Sequence, residues 1–149
     1  MKVVIDTNVV LDLFVFQDAR TAALRQSLQS GQCQWFATLP MRDELRLVLA
    51  YPHIAAKLLQ VGRSAGEIMA RFDAQALLQP EAQKASYTCK DADDQKFIDL
   101  AVAHQTVLIS KDKAVLCMAK RLARLSVRVV PEFTPVLPML APSILTRQA

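Results

Sequence analysis

Four short apolar runs, each separated from the next by longer stretches of helical period, constrain the fold of this chain most. They are "KVVI" (2–5), "QWFATL" (34–39), "TVLIS" (106–110) and "VRVV" (127–130). In the first, Val3, Val4 and Ile5 read as a strand buried on both faces. Residues from about 7 to 30 are expected to be mainly helical, with Ala22, Leu24 and Leu28 apolar among polar neighbours and Gly31 as the stop. "PMRDELRLVLAY" (40–51) reads as a helix that begins at Pro40 and is closed by Pro52. "AAKLLQVG" and "SAGEIMARFDAQALLQ" add two helical stretches, the second opened by a Ser64/Glu67 capping box. "SYTC" is a candidate short strand, and "DADDQKFIDLAVAH" and "KAVLCMAKRLARL" are expected helices. Strands alternating with helices predict an α/β fold built on a mostly parallel sheet.

The 149 residues suit one domain, with a core over about 2–130 and a proline-rich tail over 131–149, where Pro131, Pro135, Pro138 and Pro142 exclude a long regular element. Hydrophobic residues make up 52% and charged residues 21%, which excludes a disordered chain. No apolar run approaches the roughly 18 residues of a membrane span, and no basic segment leads into an apolar one at the start, so a cytoplasmic protein is expected. Cys33, Cys89 and Cys117 stand far apart, which favours reduced thiols over disulfides or a zinc site. The net charge of +4 leans weakly toward polyanionic partners.

The acids carry the chemistry. In parallel sheets, sites form at the carboxyl ends of strands. Asp6 ends the first strand, and Asp112 follows "VLIS" by two residues. Asp94 opens the next-to-last helix in line with the stripe of Phe97, Ile98 and Ala101. Glu44 lies at the margin of the face made by Met41, Leu45, Val48 and Leu49. Four carboxylates from four segments are therefore expected at one edge of the sheet. Each also has an ordinary reading as a helix cap or dipole partner: Asp6 and Asp112 as N-caps, Glu44 near a helix start, and Asp91 as N-cap with Asp94 at N3. Converging carboxylates repel unless cations neutralise them, and oxygen ligands without clustered His or Cys suit Mg²⁺ or Mn²⁺. Such ions hold a phosphodiester, activate a water and stabilise the leaving oxygen.

These residues resemble PIN-domain ribonucleases, in particular a bacterial (VapC-like) branch of toxins from toxin–antitoxin pairs. "VVIDTNVVL" is similar to the family's opening strand, with Asp6 as first acid and Asn8 as supporting polar residue. "LPMRDELRLVL" is similar to the segment with the second acid, Glu44; "CKDADDQKFIDLA" to the stretch with the third, Asp94; and "LISKDKAVL" to the segment with a hydroxyl, Ser110, and the fourth acid, Asp112. The resemblance spans residues 2–130. It departs from the family at Ser110, where threonine is usual, at Lys111, where glycine is common, and at Lys113–Ala114. It implies a three-layer α/β/α domain and a Mg²⁺- or Mn²⁺-dependent endoribonuclease. Asp6, Glu44, Asp94 and Asp112 would hold the metal, Asn8 and Ser110 would orient water or a carboxylate, and Lys111 and Lys113 would contact RNA. An antitoxin protein and a homodimer are also implied. No side chain is placed as a general base, so the expected nucleophile is a water activated by the cation. Whether one or two ions bind, and whether Asp93 assists or replaces Asp94, stays open.

Two other function classes compete with this reading. A haloacid-type phosphatase needs D-x-D, and Asn8 stands where its acid/base would be. A PIN-like module that binds RNA or protein without cleaving it differs from the enzyme only by a cleavage test. His53 and His104 are isolated and expected at the surface or at helix ends. Trp35 and Phe36 are expected in the core rather than as a base-stacking platform, and "KRLAR" (120–124) as a solvated face. If metal neutralises four acids, 18 basic residues face 10 acidic ones, a balance of +8 that favours a phosphate backbone.

Overall fold

The structure is a computed structural model that describes residues 1–135. Five strands, β1 (Lys2–Ile5), β2 (Gln34–Ala37), β3 (Ala76–Leu78), β4 (Val107–Ile109) and β5 (Arg128–Val130), form one sheet in the order β3-β2-β1-β4-β5. Every pairing is parallel, with Val3, Val4 and Ile5 of β1 opposite Val107, Leu108 and Ile109 of β4. Parallel neighbours require crossovers, and these cover both faces with helices to give three α/β/α layers.

The chain runs from β1 to β3 through α1 (Thr7–Phe14), α2 (Ala22–Gln29), α3 (Leu39–Val48), α4 (Pro52–Gln60) and α5 (Ala65–Gln75). It then crosses over α6 (Gln95–His104) to β4, and through α7 (Lys113–Leu116) and α8 (Ala119–Ala123) to β5. Helix α6 packs on β1 and β4, and α8 on β5, while α3 packs on both α1 and α5. The alternation along β2 shows the two layers directly. Trp35 packs on Phe14 of α1 and Phe72 of α5, at centroid distances of 6.0 and 5.0 Å. Phe36 turns the other way onto His104 of α6, at 4.9 Å. Both aromatics are buried, as a core role requires. Val3, Val4, Leu108 and Ile109 are fully enclosed, which is why the central strands carry no polar face.

Local signals explain most boundaries. Ser64 and Glu67 form the reciprocal capping box: Glu67 N–H donates to Ser64 Oγ at 3.1 Å, and Ser64 N–H donates to Glu67 Oε1 at 2.9 Å. Gly31, at φ +80°, takes the left-handed conformation just past α2. The helical stretch after Asp6 is broken, because Gln17 at φ 49° turns the chain into a short 3₁₀ segment, Ala19–Thr21.

Four expectations need correction. Pro52 does not close the third helix; α3 ends at Val48, and Pro52 is the first residue of α4, where its missing N–H is no loss. The end of "SAGEIMARFDAQALLQ" is not helical: Ala76 is extended (ψ 140°), and β3 pairs with β2 as the sheet edge. Ala and Leu favour helix weakly, and pairing with an open strand edge outweighs that preference. "SYTC" is not a strand. Its backbone is satisfied by a side chain instead, since Cys89 N–H donates to Gln95 Oε1 (2.6 Å) and Gln95 Nε2 donates to the Tyr87 carbonyl (3.1 Å). "KAVLCMAKRLARL" is two short helices with a turn at Cys117 and Met118. Of the tail prolines, Pro138 and Pro142 lie outside the described residues. No described helix is long and apolar enough to cross a membrane.

Candidate metal centre

The strand order turns around β1. From β1 the chain builds outward to β2 and β3, and it then returns to β4 on the other side. The crevice beyond the carboxyl ends of β1 and β4 is thus the switch point of the sheet, where parallel folds place ligands. Asp6 leaves β1 there, its N–H donating to the Ile109 carbonyl at 2.9 Å. Ser110 and Asp112 leave β4 beside it.

Asp6 holds the N-cap position of α1, but its side chain caps nothing. It is buried, and its Oδ2 accepts a 2.6 Å hydrogen bond from the Ser110 hydroxyl. The same Ser110 oxygen accepts the Asp112 N–H at 3.1 Å, so one fully enclosed hydroxyl ties the first strand's acid to the loop of the fourth. Asp112 does cap α7, through Oδ1 and the Ala114 N–H at 2.8 Å, and its second oxygen remains for another partner. Capping and clustering are compatible in this residue.

The third segment is where sequence and structure differ in detail. "DADD" forms a 3₁₀ turn, Ala92–Asp94, ahead of α6, with Asp91 as its N-cap accepting the Asp93 N–H at 2.9 Å. In a 3₁₀ turn residues i and i+3 eclipse, so Asp91 stands over Asp94. Carboxylate oxygens of Asp91, Asp94 and Asp112 lie within 4.8 Å of one another. The group holds Asp91 and not Asp93, although both are exposed. The i,i+3 spacing in "DADD" is the available signal, and it is the spacing of a cap as well.

Electrostatics follow from the crowding. Asp94 is 7% exposed, and its Oδ2 is buried without a hydrogen-bond partner. Burial first, then the charge of Asp6 and the carboxyl of Asp112, push its pKa up to about 8. Asp6 is also raised, mainly by burial and further by Glu44 and Asp112, against the opposing hydrogen bond from Ser110. A buried carboxylate with an empty oxygen, beside two others, is costly unless something positive sits there. The donor set is all oxygen, which fits one hard divalent cation. The residues therefore fit the metal that their chemistry implies.

The remaining candidates sit around this group. Glu44 projects from α3 near enough to Asp6 to raise its pKa, but it stands outside the three-acid group and its carboxylate pairs with Lys96. Asn8 is exposed on the first turn of α1, with no side-chain hydrogen bond to the acids among the described residues. Lys111 pairs with Asp12 and lines a separate pocket with Arg20, Thr21 and Phe133, which none of the clustered acids lines. Lys113 is exposed at the start of α7. A groove of about 480 Å³, lined by Pro40, Asp43, Leu47, Val48 and Tyr51, opens beside Glu44 and Asp93. His53 is exposed near the start of α4, and His104 ends α6. Cys33 and Cys89 are buried free thiols, and Cys117 is an exposed one.

No curated protein matches the chain closely enough to count as a relative. A family model described as a PIN domain matches residues 2–114, a span that runs from β1 through Asp6, Glu44, Asp91 and Asp94 to Asp112. With the parallel three-layer fold and an acid cluster at its switch point, the chain belongs to the PIN-domain family.

Proposed function

We propose that the chain is a Mg²⁺- or Mn²⁺-dependent endoribonuclease. The observation that carries this reading is the unpartnered, buried Oδ2 of Asp94 beside the carboxylates of Asp112 and Asp91. A bound divalent ion supplies two things here: a water made acidic enough to attack a phosphodiester, and positive charge for the leaving oxygen. Asp94, Asp112 and Asp91 would hold that ion, with Asp6 beside them directly or through water.

The chain's own groups prepare the site. Asp112 and Asp91 each commit one oxygen to a backbone N–H, at 2.8 and 2.9 Å, which fixes the carboxylate plane and leaves the other oxygen for the ion. Ser110 donates to Asp6 and accepts from the Asp112 backbone, so it holds the two strand ends in register. Burial of Asp94 keeps water from screening its charge, which strengthens its hold on a cation. Asn8, on the exposed turn beside Asp6, is assigned to orient water, and Lys113, on the rim, to a phosphate contact. Lys111 takes a like role once RNA competes with Asp12 for it.

The resemblance of "CKDADDQKFIDLA" to the toxin branch supports a narrower reading: the toxin of a type II toxin–antitoxin pair, cytoplasmic, homodimeric, and silenced by an antitoxin. An arginine fork is the natural way for such a partner to enter an acidic cleft. The test is cleavage of labelled RNA with and without Mn²⁺, beside Asp6→Asn. Metal-dependent cleavage lost in the variant supports the enzyme. Equal cleavage by both points to a contaminant, and none by folded, metal-loaded protein favours an RNA- or protein-binding module.

A further inference from the structure

The chain has three cysteines, and two of their sulfurs meet at one atom. Cys89 Sγ and Cys117 Sγ each donate to the Ala114 carbonyl, both at 3.4 Å. The two sulfurs are therefore no farther apart than these two bonds laid end to end. They come from different segments. Cys89 lies in the irregular stretch ahead of the 3₁₀ turn, two residues before Asp91. Cys117 follows the last residue of α7, the helix whose amino end Asp112 caps. Cys89 is buried and Cys117 is exposed, so a sheltered thiol stands close behind one that meets solvent. Cys33 is also buried, but it precedes β2 at the amino end of the sheet, the edge opposite the acids.

The shared carbonyl belongs to the scaffold of the metal centre. The N–H of the same Ala114 fixes the Asp112 carboxylate, at 2.8 Å. The Cys89 N–H donates to Gln95 Oε1 at 2.6 Å, which ties its stretch to the start of α6, one residue past Asp94. A change at the two sulfurs is therefore felt by the backbone that leads into Asp91 and by the turn that holds Asp112. A disulfide sets its sulfurs about 2.05 Å apart. Forming one takes both S–H donors away from the carbonyl and draws the two segments together. Ligand distances in a metal site hold to within about 0.2 Å, so a shift of this kind spoils the site.

We propose that Cys89 and Cys117 are a thiol pair oxidised by low-molecular-weight disulfides, and that the bond between them switches off the metal centre. The switch rests on the metal-dependent reading above. Cys117, the exposed thiol, attacks one sulfur of the oxidant RSSR as its thiolate, forms a mixed disulfide and releases RS⁻. Cys89 then gives up its proton and attacks the Cys117 sulfur, which breaks the bond to R and releases the second RS⁻. The two protons pass to the released thiolates. RSSR is thus reduced to two RSH while the protein loses two electrons and gains one S–S bond.

The experiment treats full-length protein with oxidised glutathione, maps its disulfides by mass spectrometry, and measures Mn²⁺ affinity by calorimetry before and after. The map should show a Cys89–Cys117 link within one chain, and Mn²⁺ affinity should fall about 10–100-fold. Reduction with dithiothreitol, followed by its removal, should restore the affinity. Cys117→Ser, at an exposed position, should form no link and should bind Mn²⁺ equally before and after treatment. Three results would overturn the switch while leaving the three-acid site intact: a glutathione adduct on Cys117 with no internal link, a link between two chains, or an internal link with unchanged Mn²⁺ affinity. Reduced wild type that binds no Mn²⁺ would overturn the metal site, and the switch with it. The wild-type map and titration need no variant, so poor folding of Cys117→Ser does not remove the test.

Discussion

Replacing Asp94 by Asn should stabilise the metal-free protein, and the gain should grow with pH. The side chain keeps its shape and loses its charge. In the wild type the folded-state pKa is raised from 3.8 to about 8, mainly by burial. Between those values the folded protein binds more protons than the unfolded chain. Stability from this group is therefore full below about pH 4, falls as pH rises, and levels off above about pH 8. One pKa unit corresponds to about 1.4 kcal/mol, so from pH 4 to pH 7 the ceiling on the loss is about 4 kcal/mol. The charge of Asp6 contributes to the rise, so part of the effect belongs to the neighbouring acid rather than to Asp94 alone. About half the ceiling, about 2 kcal/mol, is the expected difference between variant and wild type at pH 7. Acids outside the cluster titrate equally in both proteins and cancel in the difference. The assay is urea unfolding of both at pH 4, 5.5, 7 and 8.5 in chelator, repeated with excess Mn²⁺. In metal the order should reverse, because an ion that binds only the folded site stabilises by mass action. Parallel pH profiles in chelator would refute the reasoning, as would a variant less stable than wild type throughout. Either result would mean that Asp94 is simply a helix-start carboxylate.

Three further outcomes follow from particular contacts. Ser110→Ala removes the hydroxyl that joins Asp6 to the Asp112 loop and should cost about 1–3 kcal/mol in chelator melts, with metal affinity down about 10–100-fold by calorimetry. Ser64→Ala breaks a capping box that has no member in the acid cluster, so thermal melts should show a loss of about 1 kcal/mol and RNA cleavage should not change. Trp35→Ala empties a site between Phe14 and Phe72 and should cost about 3–5 kcal/mol, whereas a base-stacking role would leave stability intact and weaken RNA binding in a filter assay.

Most of the sheet was legible because its strands are apolar runs with no other use. The central pair, β1 and β4, is buried on both faces, so composition and burial agree there. The edge strand β3 was not legible, because "ALL" is short, half-exposed and favours helix, and only the open side of β2 makes it a strand. At the site, Asp6 and Asp112 could be read from position alone, since the carboxyl ends of parallel strands are where ligands bind. Asp91 could not be separated from a cap by pattern, because the same i,i+3 spacing serves both, and the 3₁₀ geometry that stacks it on Asp94 appears only in three dimensions. Nothing in sequence order reveals that Lys96, 52 positions on, meets Glu44.

The central claim is that Asp94, Asp112 and Asp91 form a cation site at the switch point of the sheet. An anomalous difference map from a crystal grown in Mn²⁺ tests it most directly. A peak is expected among the oxygens of these three residues, absent from Asp94→Asn crystals grown the same way. A map with no peak there at saturating Mn²⁺, or one whose peak persists in the variant, would contradict it.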